Sequence, residues 1–234
     1  MPYQIHNMKK IINIAHRGFT RNFPDNTLES FRAALELGVD GVEFDVQETV
    51  DGAFYIYHDD DVAGKPIATM TSDEICEIRL KGKYLVPTLQ QTLELLGHAP
   101  ILIVELKQVR SLDKFLQILR SFADVTRTVI VSFSKELIAR MADLAPDIMR
   151  AVITNTGVKK ADEITKSTHS MAIGMASRDL NNEVISRLHK DGTMVFVWDC
   201  TDAETVHKAL AFDIDGVISD VPDVVKQETR NSGS

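Results

Sequence analysis

Cysteine is almost missing from this chain: Cys76 and Cys200 stand far apart and in no CxxC spacing. That excludes a disulfide framework and a thiolate metal site, suits a reduced cytosol, and leaves both thiols as expected packing residues. There is no uninterrupted apolar run of about 18 residues, the length a spanning helix needs. The opening MPYQIHNMKK has no apolar core of the secretion-signal kind. A cytoplasmic protein without stable membrane insertion is therefore expected. Positive charge is also in short supply, with 26 Lys and Arg against 34 Asp and Glu and a formal charge of -8. Duplex nucleic acid, whose binding is driven by cations displacing counterions, is excluded as a partner. A small anionic substrate is not, because a bound divalent cation inverts the local field. Neither GxGxxG nor GxxxxGK[ST] follows any strand-like run, which argues against a doubly wound nucleotide-binding sheet.

What is present is a core large enough for one domain. With 234 residues, 44% of them hydrophobic, the whole of 1–234 reads as a single unit, its polar end from 227 to 234 expected to fray. Strand-length apolar runs lie at 11–15, 41–46, 53–58, 101–105, 128–132, 149–153, 171–175, 194–198 and 216–219. Most are apolar on successive positions, as in parallel strands covered on both faces. Amphipathic helical stretches such as TLESFRAALELG, SLDKFLQILRSFA and NNEVISRLHKDG separate them. Asn26, Ser111, Ser134 and Asn181 or Asn182 are candidate caps. The βαβα order implies a parallel α/β fold.

Nine runs are one too many for an eight-stranded barrel. No crossover helix fits between Val46 and Ala53, however, and Asp51-Gly52 is a strong hairpin signal. Taken as a two-residue turn, it places His58 directly across from Asp45. Without that return arm eight strands remain, and the fold expected is a (β/α)8 TIM barrel with a short hairpin extension after strand 2. Its active groups belong at the carboxyl ends of the strands. That rule selects His16 and Arg17 after strand 1, Glu43 and Asp45 in strand 2, Glu105 and Lys107 at strand 3, Ser132 at strand 4 and Trp198 at strand 7. Three carboxylates at one mouth repel unless a cation offsets them, and all-oxygen ligation favours Mg²⁺ or Ca²⁺. His16 and His58 suit general acid and base; Arg17 and Lys107 suit phosphate oxygens.

The ordered set His16-Arg17-Gly18, Asp25-Asn26-Thr27, Glu43-Phe44-Asp45 and His58-Asp59 resembles the glycerophosphodiester phosphodiesterase family. VELK around Glu105 and Lys107, VPTLQQTLEL, Ser132-Phe133, VWDCTD around Trp198 and DGVISDVPD extend the likeness to Asp223. The resemblance implies a TIM barrel, a divalent cation held by Glu43, Asp45 and Glu105, and His16 and His58 as the catalytic pair. Substrate contacts would come from Arg17, Lys107 and Trp198. It also implies a small glycerophosphodiester as substrate and release of glycerol 3-phosphate, with the order in which the histidines act left open. A homo-oligomer is compatible with all of this. A lysophospholipase D-like lipid phosphodiesterase is one alternative; a non-catalytic phosphoryl-ligand binder, which would have shed a histidine or a metal carboxylate, is the other.

Four departures lie near the expected mouth. Asp25 stands where the family has Glu, a shorter side chain expected to weaken a structural hydrogen bond at the start of helix 1, and the L-x-R-T-T motif is missing. Asp199 replaces Thr after Trp198, and Val221 replaces Tyr before Pro222. About 28 residues separate Asp59 from Pro87, little material for a lid, so a short mouth open to water is expected. His6, His98, His169, His189 and His207 read as surface residues.

Overall fold

The computed structural model describes residues 11–97, 99–155 and 160–231; His6 and His98 lie outside them. In chain order the strands are β1 (Ile12–Ala15), β2 (Gly41–Glu48), β3 (Phe54–Ile56), β4 (Asp61–Val62), β5 (Lys65–Pro66), β6 (Arg79–Leu80), β7 (Tyr84–Leu85), β8 (Leu102–Leu106), β9 (Thr128–Ser132), β10 (Met149–Thr154), β11 (Ala172–Ala176), β12 (Met194–Cys200) and β13 (Gly216–Ser219). The helices are α1 (Leu28–Leu37), α2 (Ser72–Cys76), α3 (Leu89–Leu96), α4 (Leu112–Phe122), α5 (Lys135–Leu144), α6 (Ala161–Ser167), α7 (Asn182–Lys190), α8 (Ala203–Ala209) and α9 (Pro222–Asn231).

Strand order β1-β13-β12-β11-β10-β9-β8-β2, with β1 pairing β2, closes eight parallel strands into a barrel. Alternation puts one set of side chains inside it: Ile12, Ile14, Ile103, Val129, Val131 and Phe196 are among the cluster that fills the lumen. The other set faces the helices, where Phe31, Phe44, Leu93, Leu106 and Phe115 form the larger core. Covering both faces explains why the strands read as nearly continuous apolar runs.

Helix α1 starts at Thr27, not at Asn26. Thr27 accepts from the Ser30 backbone while the Ser30 hydroxyl accepts from Thr27, a capping box. Asn26 is freed for the site by a left-handed backbone (φ 55°). Ser134 and Asn181 cap α5 and α7 through their side chains. The end of the chain also differs from expectation, since residues 227–231 continue helix α9 and 232–234 lie outside the described residues. Cys200 is buried, but Cys76, at the end of α2, is exposed rather than packed.

The return arm β3 is antiparallel to β2, but in a register one residue away from the two-residue-turn reading: Val46 pairs with Ile56 and Glu48 with Phe54. Thr49 bonds Ala53 across a three-residue loop, Val50-Asp51-Gly52, which Gly52 closes in the left-handed region (φ 77°). His58 is therefore out of phase with Asp45, whose carbonyl accepts from the Tyr57 amide at 3.1 Å, and His58 reaches the barrel mouth where the chain leaves the ladder after Tyr57. The segment that follows is more built than expected. Two β-ribbons and α2 enclose a small core of Val62, Ile67, Met70, Ile75 and Val86 beside the mouth.

Glu48, at the end of β2, ties that strand to the connection between β8 and α4. Its carboxylate accepts from the Arg110 and Ser111 amides at 2.5 and 2.9 Å and from the Ser111 hydroxyl at 2.7 Å, holding the start of α4. Burial opposes its charge, but these donors outweigh burial and hold its pKa below the ordinary range. Glu48→Ala is expected to cost about 2–3 kcal/mol near neutral pH, read by urea unfolding. Because the folded-state pKa is the lower one, that deficit should be full above pH 4.5 and should shrink as pH falls through the folded-state value. A deficit that stays constant on acidification would contradict this role.

Candidate active site

The polar groups gather at the carboxyl ends of β1, β2, β8 and β13. Parallel pairing of β2 with β8 sets Asp45 beside Glu105, and alternation puts Glu43 on the same inward face as Asp45. Ligand atoms of Glu43, Asp45 and Glu105 all lie within 4.8 Å of one another, and all three residues are buried. Burial and the charges of Asp45 and Glu105 push the Glu43 carboxyl well above the usual carboxylate range. Burial and Asp45 raise Glu105 as well.

Two cations offset part of this charge. Arg17 Nε lies 3.2 Å from Asp45, and Lys107 Nζ lies 2.9 Å from Glu105 and 3.6 Å from Asp45. Burial would lower the pKa of each, but the carboxylates prevail and hold both above their ordinary values. Asp45 is further fixed by Asn26, which donates to Oδ2 at 2.7 Å and accepts from the Asp45 amide at 3.3 Å. The other oxygen, Oδ1, is buried with no hydrogen-bond partner. A buried carboxylate oxygen without a hydrogen bond, reached only by Lys107 Nζ at 3.6 Å and facing two more carboxylates, fits a hard cation taking oxygen ligands.

The turn after β1 is locked. Arg17 sits at φ 55° and donates its amide to Glu43 at 3.1 Å. At Gly18 a Cβ would meet the Ser30 hydroxyl at 2.5 Å, so no larger residue fits between this turn and α1. Asp25, expected to bond at the start of helix 1, instead pairs with Arg17 at 3.3 Å.

His16 Nδ1 lies 2.6 Å from Asp220, and His58 Nδ1 lies 2.6 Å from Asp59. A carboxylate can only accept, so each Nδ1 carries the hydrogen and each Nε2 is left for chemistry. His16 Nε2 lies 4.0 Å from Glu43. Burial works against the Asp220 charge, but the His16 hydrogen bond together with the His16 and Arg17 charges outweighs it and keeps Asp220 below its ordinary range. Gln47 continues the inward series 43, 45, 47 and donates to the Asp59 carbonyl at 2.9 Å, which fixes the His58-Asp59 turn.

His16, His58, Arg17, Lys107, Glu43, Glu105 and Trp198 all line one cavity of about 290 Å³, and Asp45 stands among its carboxylates. Its far wall is apolar, built from Val131, Ile153 and Gly174, with Trp198 packed edge-to-face against Phe133 at 5.8 Å. Ser132 does not join them. Its hydroxyl bonds the Leu106 carbonyl and the Ser134 amide, a structural duty. Phe19 packs against the core, whereas Phe23 reaches a second cavity and meets Tyr84. Asp220, Gln47 and the grip of Asn26 on Asp45 were not read from sequence. Asp220 could have been found by applying the end-of-strand rule to the last strand, and Gln47 by extending the alternation past Asp45.

The fold recurs in solved proteins. A glycerophosphodiester phosphodiesterase from Agrobacterium tumefaciens str. C58 superposes with a TM-score of 0.81 at 27% identity, covering 94% of this chain and 100% of that one. An Oleispira antarctica phosphodiesterase, solved with its product sn-glycerol-3-phosphate, shares the fold with a TM-score of 0.85 at 22% identity, covering 95% of this chain and 97% of that one. By sequence, glycerophosphodiester phosphodiesterases of Caldanaerobacter subterraneus subsp. tengcongensis and Bacillus altitudinis are each 26% identical, the first over 96% of this chain and 100% of its own length, the second over 89% and 94%. Among the described residues no helix is long and apolar enough to cross a membrane. The profile of the Glycerophosphoryl diester phosphodiesterase family matches residues 16–224, and with the site at the mouth of the expected barrel this chain belongs to that family.

Proposed function

We propose that this protein hydrolyses glycerophosphodiesters to glycerol 3-phosphate and a free alcohol, with Glu43, Asp45 and Glu105 holding Mg²⁺ or Ca²⁺ and His16 and His58 moving the protons. The observation that carries the reading is the buried triad of carboxylates, one oxygen of Asp45 without a hydrogen-bond partner, in the same cavity as two histidines whose Nδ1 atoms are pinned by aspartates. A divalent cation bound there supplies positive charge to the phosphate oxygens. Arg17 presents a planar guanidinium to those oxygens and Lys107 a point charge.

The chain's own part is proton transfer. One imidazole Nε2 takes the proton of the attacking hydroxyl, which in a glycerophosphodiester is available on the glycerol arm itself. The other gives its proton to the departing alkoxide. Water then opens the resulting cyclic phosphate, with the first imidazole returning its proton and the second taking one. Asp220 and Asp59 keep each ring in the tautomer this needs and stabilise it when protonated. A non-catalytic binder has no use for two such histidine–aspartate pairs.

Three outcomes are expected. In a coupled glycerol 3-phosphate assay, thorough chelation should abolish turnover and Mg²⁺ or Ca²⁺ should restore it; full activity after chelation would end the metal reading. His16→Ala and His58→Ala should each lower kcat by ~10² to 10⁴ with smaller changes in KM, and near-normal turnover by either variant would remove that residue from acid–base catalysis. Asn26→Ala, which frees Asp45, should weaken the metal Kd by ~10- to 100-fold in a calorimetric titration, whereas an unchanged Kd would mean that Asn26 does not orient the ligand.

A further inference from the structure

A phosphodiester has two arms, and the mouth of this barrel has two cavities. The first is the deep one already described. The second, about 330 Å³, is lined by His16, Arg17 and Asp220, which it shares with the first, and by Thr20, Phe23, Pro24, Asp25 and Lys81. Strand residues of the barrel build the first cavity; loop residues after β1 and the tip of the β6–β7 ribbon build the second. A phosphorus atom held at the shared residues would send one arm into each. The glycerol arm, common to every glycerophosphodiester, suits the preformed barrel interior. The variable arm then falls to the loop-lined cavity.

Charge gives that cavity a preference. Its two carboxylates are engaged, Asp25 with Arg17 and Asp220 with His16. Nearby cations are engaged too: Arg21 pairs with Asp223, and Lys83 lies over the Tyr84 ring. Lys81 is different. Among the described residues it has no hydrogen-bond or ion-pair partner, and it is exposed on the cavity wall. It is held there by Lys81-Gly82 at the ribbon turn, with φ 48° and 68°. That turn favours Asn or Gly at its first position, so a lysine in the left-handed region carries a conformational cost with no contact in the free protein to offset it. The Phe23–Tyr84 edge-to-face pair joins the ribbon to the β1–α1 loop and fixes the lysine opposite the shared residues.

We propose that the second cavity is the subsite for the alcohol arm and that Lys81 selects arms carrying an anionic group, such as the carboxylate of a serine arm. The proposal rests on the phosphodiesterase reading above. Glycerophosphoserine and glycerophosphoethanolamine differ only by that carboxylate, so the ratio of their kcat/KM values isolates it. Lys81→Gln should lower the serine-to-ethanolamine ratio about threefold, and Lys81→Glu, which adds repulsion to the loss, about tenfold, both chiefly through KM for the serine substrate. Raising ionic strength should lower the ratio for the wild type and leave it flat for Lys81→Gln. Because Lys81 stands at an exposed turn, unfolding midpoints of both variants should stay close to the wild type, which separates selection from damage to the fold. Turnover of both substrates with ratios unchanged in both variants would overturn the subsite. Turnover of neither substrate by the wild-type protein would instead remove the phosphodiesterase reading, and the subsite with it.

Discussion

Mutual repulsion of three buried carboxylates is the constraint around which this molecule is organised. At separations near 5 Å and an effective dielectric of 20, each charged pair costs about 3–4 kcal/mol, and a domain this size has only ~5–15 kcal/mol of total stability. The cluster of Glu43, Asp45 and Glu105 therefore exists only with compensation. Part is visible in Arg17 and Lys107, which reach the same oxygens. Burial first and the neighbouring carboxylates second raise the proton affinity of Glu43 and Glu105, so the two cations do not offset the whole cost of charge here. A divalent cation, as proposed above, would relieve the remaining cost.

The barrel supplies the rigidity that such a cluster demands. Asp45 and Glu105 are register partners on adjacent parallel strands, and Glu43 follows from strand alternation, so backbone hydrogen bonds alone bring the three together. The remaining strain is local. Of the six non-glycine residues in the left-handed region among the described residues, Arg17 and Asp199 line the first cavity, Lys81 lines the second and Asn26 grips Asp45, whereas Ala63 and His169 lie away from both. At three of these positions surrounding contacts offset the backbone cost: Arg17 is held by Glu43, Asp45 and Asp25, Asn26 by both edges of Asp45, and Asp199 by the Ser177 amide.

Legibility in the sequence followed the range of the interactions. Strand-length apolar runs, the Asp51-Gly52 turn signal and strand-end position are local properties, and they were enough to place the barrel, the excess antiparallel arm and the grouping of His16, Arg17, Glu43, Glu105 and Lys107. The hairpin register was not legible. A two-residue and a three-residue loop around Asp51-Gly52 leave the same sequence signal, and only the Thr49–Ala53 bonds decide between them. Nor could local reading separate Asn26 from Thr27 as the cap of α1, because the preference of Asn26 for Asp45 is set across 19 residues of chain. Asp220 illustrates the longest reach: its partner His16 lies 204 residues away, and only closure of β13 against β1 makes them neighbours.

The mouth is divided, and the division has a physical use. Strands β1, β2, β8 and β13 end in charge, whereas β9 to β11 bring Val131, Ile153 and Gly174 to the opposite wall, with Trp198 of β12 between the halves. An apolar wall cannot solvate a phosphate, and by excluding water it lowers the local dielectric in which Arg17 and Lys107 act. Charge–charge attraction scales inversely with that dielectric, so under the function proposed above the same two side chains would attract a phosphate more strongly here than on an open surface. The gain is greatest for the state with most charge on phosphorus-bound oxygens, the transition state of diester cleavage, so the apolar wall takes part in the chemistry without touching a proton.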